Sequence, residues 1–134
     1  MKPRTLAAVC LLLIVLIQFG AIGGLLSPSP VPGEGLHVAI IWESGNRGEI
    51  PPGQLDAIFS TDVDAMIKAA SGKKFLMDVN QDQSSESDEW ARRAFALPRT
   101  SLPMIVIDCD GRGEAGPVPG TVDAMKKLVG KYTR

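Results

Sequence analysis

Histidine occurs once in this 134-residue chain, at position 37, and cysteine twice, at positions 10 and 109. No Cys-x-x-Cys pair exists anywhere, so the usual dithiol redox centre is excluded. A lone His37, with no second histidine or cysteine near it in sequence, offers no metal-ligand set. Basic charge is also scarce. Beyond residue 26 the chain carries twelve Lys and Arg against fifteen Asp and Glu, a formal charge of −3. With no basic stripe, nucleic acid is not an expected partner. Aromatic residues make up only 5% of the sequence.

What the chain does have is one long apolar run. Residues 6–26 are almost uninterrupted apolar sequence behind the basic Met1–Lys2–Pro3–Arg4 start, with Gln18 the only clearly polar break. As a single helix the run measures about 31 Å, close to the hydrocarbon thickness of a bilayer. A cleaved signal peptide has a shorter apolar core, about 7–15 residues, although Ala21-Ile22-Gly23 could pass as a weak cleavage site. Residues 1–26 are therefore expected to be a signal anchor, with the signal peptide as the alternative. An anchor makes the protein single-pass, its N-terminus inside and its C-terminal domain extracytoplasmic; cleavage makes it secreted. In either case Cys10 and Cys109 cannot bridge within one chain. Residues 27–35, rich in Pro, Ser and Gly, are expected to be a stiff extended linker.

The remaining hundred or so residues suffice for one small domain with a single core. Its organising stretch is residues 101–116, SLPMIVIDCDGRGEAG. Met104 to Ile107 form an apolar run that predicts a strand buried on both faces. Asp110-Gly111 and Gly113 then supply residues that tolerate positive φ, for a hairpin into a further strand. Upstream, residues 36–42 (LHVAIIW) predict another buried strand. Pro51-Pro52 opens a helical pattern through Leu55, Ile58, Val63, Ile67 and Ala70, either one helix or two divided at a Ser60 or Thr61 cap. Residues 74–79 predict a short strand. Ser85-x-x-Asp88 has the form of a capping box for a helix ending before Pro98. Thr121 caps a last amphipathic helix with Val122, Met125, Leu128, Val129 and Tyr132 on its apolar side. The expected class is α/β: a four-stranded mixed sheet flanked by helices, preceded by a single hydrophobic N-terminal helix.

This order, with Leu102-Pro103 before the third strand and Val-Ile-Asp-x-Asp-Gly-x-Gly after it, resembles the thioredoxin-like fold over residues 36–132. The resemblance implies that residues 36–134 are a thioredoxin-like domain and that Pro103 is the cis-proline facing the active-site loop. It also implies that residues 43–48 occupy the redox position. There the pattern departs from the family: the loop reads Glu-Ser-Gly-Asn-Arg-Gly, without a cysteine, and Ser44 has no histidine near it to activate it. Dithiol exchange is thereby ruled out. In the resembled family the neighbours of that proline bind extended substrate backbone by strand addition. The candidate binding residues are accordingly Trp42, Glu43, Ser44, Asn46, Arg47, Ser101, Leu102 and Pro103.

Cys109 is the candidate for monothiol chemistry, though Asp108 and Asp110 on either side disfavour its thiolate. Asp108-x-Asp110-Gly does not match a calcium loop, because its glycine falls fourth rather than sixth. The acidic residues Asp78, Asp82, Glu86, Asp88 and Glu89 suit a solvated loop and helix start. No metal or cofactor is expected. The functional expectation is a non-catalytic, membrane-anchored extracytoplasmic binding or scaffolding domain, with its membrane contact through residues 6–26 and a protein partner at residues 43–48 and Pro103. The alternatives are a monothiol redox protein using Cys109, and a small bacterial envelope or phage membrane protein whose soluble domain regulates it.

Overall fold

A computed structural model describes residues 27–133. The expected anchor or signal helix and Cys10 lie outside the described residues; among these, no helix is long and apolar enough to cross a membrane. Four strands form one sheet: β1 (Leu36–Trp42), β2 (Lys73–Asp78), β3 (Met104–Cys109) and β4 (Arg112–Pro117), in the order β2-β1-β3-β4. β1 runs parallel to β2 and antiparallel to β3, which pairs antiparallel with β4. The helices are α1 (Pro52–Ile58), α2 (Thr61–Ala69), α3 (Glu89–Phe95) and α4 (Val122–Gly130).

The two apolar runs become the central strands because both of their faces are covered. Leu36, Val38 and Ile40 of β1, with Ile105 and Ile107 of β3, pack under α1, α2 and α4 against Ile58, Val63, Met125 and Val129. Ala39 and Ile41 of β1, with Met104 and Val106 of β3, pack on the opposite face beneath Trp90, Ala91 and Ala94 of α3. One helix pattern divides in two at Ser60, whose Oγ accepts from the Val63 amide at 3.2 Å and starts α2. The capping box at Ser85 is not used. Asp88 itself caps α3, its carboxylate accepting from the Ala91 amide at 3.0 Å, because the helix begins one residue after it. Thr121 caps α4 as expected, accepting from Ala124 N at 3.1 Å.

The hairpin turn places Asp110 at φ 53° and Gly111 at φ 85°, a two-residue reversal matched to the sheet's twist. Gly113 serves differently from expectation. Its φ is not positive; instead a Cβ there would overlap the Ile107 carbonyl, so glycine is required for close backbone approach.

Residues 27–35, read from composition as a linker, are packed onto the domain as a strap. Ser27 and Ser29 exchange backbone bonds with Gly113 and Gly111 at the start of β4, at 3.0 and 2.9 Å. Val31 is buried, and its carbonyl accepts from Trp90 Nε1 at 2.7 Å. Pro32 O accepts from Arg93 at 3.0 Å, and Gly35 N donates to Asp110 Oδ1 at 2.8 Å.

Beneath the strap, Asp108 is 0% exposed. Its Oδ1 accepts from Gly111 N at 3.1 Å, while Oδ2 faces His37 Nδ1 at 3.9 Å and neither of those two atoms has a hydrogen-bond partner among the described residues. Burial pushes the Asp108 carboxyl above its ordinary range, against the pull of the Ser29 hydroxyl, the Gly111 amide, His37 and the Gly33 amide. Of these neighbours, only the Gly111 amide reaches hydrogen-bond geometry. A carboxyl whose folded pKa is raised contributes stability that is complete below its unfolded pKa, about 3.9, and is lost as pH rises through the folded value. Asp78 and Asp82 are lowered and act oppositely, losing stability as pH falls through their folded values. Asp108→Asn removes only the Asp108 contribution. The difference in unfolding free energy, variant minus wild type, should therefore grow as pH rises from about 3.9 toward 5.5, below the ordinary imidazole range. Denaturant melts across that window check it; a difference that stays flat or shrinks contradicts the burial account.

Candidate functional site

The site is built where the C-terminal end of β1 meets the N-terminal end of β3. Past Trp42 the chain does not form an open loop but a 3-10 helix, Ser44–Glu49, kinked at Asn46. It is held by Asn46 N to Glu43 O at 3.1 Å, Ile50 N to Arg47 O at 3.2 Å, and Asn46 Nδ2 to Glu43 Oε2 at 2.7 Å. Across from it the Leu102–Pro103 peptide is cis, and Pro103 O accepts from Val118 N at 3.1 Å. Between the two lies a hollow of about 180 Å³, lined by Glu43, Asn46, Leu102 and Pro103 from the expected set and by Glu49, Ile50, Pro51 and Gln54 besides. A second hollow, of about 240 Å³, is lined among the described residues by Met66, Ala69, Ala70 and Thr133, none of them charged.

The other four expected residues stand beside the hollow. Trp42 is buried and meets Phe59 edge-on, with ring centroids 5.4 Å apart. The Arg47 guanidinium lies over both rings, 5.0 Å from the Phe59 centroid and 5.9 Å from that of Trp42. The Ser101 hydroxyl is buried without a hydrogen-bond partner among the described residues. Ser44 backs onto Asp78, its amide donating to Oδ1 at 3.3 Å. The Ser44 hydroxyl, then the Asn80 amide, hold the Asp78 carboxyl below the usual carboxylate range. So acidic a group is a poor general base at neutral pH, and Ser44 has no activating partner in it.

Leu102 is 42% exposed. Among the described residues neither its amide nor its carbonyl has a backbone partner. Leu102 thus presents an apolar side chain and free main-chain groups at the rim of the hollow, just ahead of β3.

Cys109 pairs with Leu36 at the other end of the sheet. Five residue steps of extended strand separate it from Met104, about 17 Å. Among the described residues its thiol has no disulfide partner; it is half-buried, and its pKa is raised first by burial, then by Asp110 and Asp108. Burial thus outweighs the flanking charges that sequence suggested. The Asp108–Asp110 carboxylates are engaged in the turn, on Gly111 N and Gly35 N. In the acidic stretch, Asp82 accepts from Ser84 N and Asp88 caps α3.

Glu49, Ile50, Pro51 and Gln54 were not among the expected site residues. Gln54 is positioned by Nε2 donating to Val118 O at 2.7 Å, which ties α1 to the segment after β4. Only the direct continuation of residues 43–48 into α1 could have pointed to these four. Comparison with protein-family models and with curated protein sequences finds no match to this chain.

Proposed function

We propose that this is a non-catalytic binding module of the thioredoxin-like kind, which docks an extended segment of a partner protein across Leu102 and the adjoining hollow. The observation that carries the reading is the unpaired backbone of Leu102 beside a hollow built from both chain segments, the 3-10 helix and the cis-proline. An extended chain pairing there would add main-chain hydrogen bonds, and the hollow would receive an alternate side chain. The strand order and the place of Pro103 support the thioredoxin-like reading. The absence of any cysteine from residues 43–48 supports a module that holds rather than oxidises. Residues 6–26 would anchor it in a membrane, with the domain on the extracytoplasmic side.

Affinity capture with the full chain as bait tests this. A partner recovered by wild type should fall about tenfold or more with Asn46→Ala/Arg47→Ala/Leu102→Ala, the size of effect expected when interface anchors are truncated. Cys109→Ser should leave recovery unchanged. Recovery that survives the triple variant but fails with Cys109→Ser would overturn the proposal in favour of monothiol chemistry.

A further inference from the structure

We infer that the hollow receives a cationic side chain, lysine or arginine, from the docked segment. This rests on the binding reading above and adds the chemistry of the ligand. Two carboxylates, Glu43 and Glu49, line the hollow, and no Lys, Arg or His among the described residues does. Neither carboxylate has an ion-pair partner among the described residues.

Each of the two side-chain amides in the lining has one N–H engaged within the protein. Asn46 donates from Nδ2 to Glu43, which orients that carboxylate, and Gln54 donates from Nε2 to Val118 O, so its carbonyl oxygen remains an acceptor. Arg47, next in sequence to Asn46, lies over the Phe59 and Trp42 rings instead. Ammonium and guanidinium groups carry donors only, which complements a lining dominated by acceptors. The apolar walls of Ile50, Pro51 and Leu102 suit the methylene stem of such a side chain.

The test uses the full chain and four pools of capped, extended hexapeptides. Each pool fixes the central residue as Lys, Arg, norleucine or Glu and randomises the flanks among Thr, Val and Ser; binding is read by fluorescence anisotropy. The Lys and Arg pools should bind about fivefold tighter than norleucine, as for a solvent-accessible ion pair, and the Glu pool weakest. That gap should close in Glu43→Gln/Glu49→Gln and in about 0.5 M salt, where exposed charges are screened. Equal binding of the Lys and norleucine pools, both lost with Leu102→Ala, would overturn the cationic preference and keep the docking reading. A Lys advantage untouched by the double Gln variant would also overturn the preference. Binding by none of the pools would overturn both.

Discussion

Trp90→Ala should cost about 3–5 kcal/mol of unfolding free energy, the usual range for deleting a buried aromatic side chain. The ring is almost fully buried in the core under α3, stacks on His37 with centroids 4.8 Å apart, and lies 6.1 Å from the Phe75 ring. It also clamps the strap through Nε1 to Val31 O. A loss of this size is a large part of the roughly 5–15 kcal/mol that holds a small domain together. Trp90→Phe separates the two roles. It keeps most of the apolar bulk but leaves the buried Val31 carbonyl unpaired, at about 1–3 kcal/mol. Both variants should speed hydrogen exchange at Ser29 and Gly35, whose amides depend on the strap's position. Denaturant melts showing a loss below about 1 kcal/mol for Trp90→Ala would mean that the strap and core do not depend on this ring.

Gly113→Ala should be nearly as severe, about 3 kcal/mol, at the upper end of ordinary overpacking. The added Cβ would overlap the Ile107 carbonyl, and that oxygen is main chain in the central strand β3. A flexible side chain could swing away; a strand hydrogen-bonded on both sides cannot. Gly113 N also donates to Ser27 O, so a shift there would loosen the start of the strap. Gly116→Ala is the matched control on the same strand: nothing among the described residues lies within 4 Å of its Cβ position, and its stability should change by less than about 1 kcal/mol. Similar melting curves for the two variants would contradict the steric account.

The fold was legible where local chemistry and burial agree. Residues 36–42 and 104–107 are apolar on consecutive positions, and only a strand covered on both faces uses such a run well. Asp110-Gly111 carried the hairpin because few residue pairs accept two successive positive φ values. The strap was not legible. Its Pro, Ser and Gly composition has no period, and its docking depends on Trp90, 59 residues beyond Val31, and on Asp110, 75 beyond Gly35. Ser85 and Asp88 can both cap, and only the helix's true start selects Asp88. At the site, half of the expected residues line the hollow, because the turn after β1 and the proline before β3 are brought together by the β1–β3 pairing. Gln54 and Glu49 carried no signal of their own: a polar residue on a short helix is equally at home in water.

The most direct measurement is photo-crosslinking from the full chain in cells, with p-benzoylphenylalanine placed at Leu102 or, separately, at Leu76. The two leucines are equally exposed, 42% and 41%, but Leu76 lies on the edge strand β2, away from the hollow. A docking surface at the end of the sheet predicts a discrete adduct from position 102 and none from position 76. An adduct from position 76 alone, or from neither position, would contradict it.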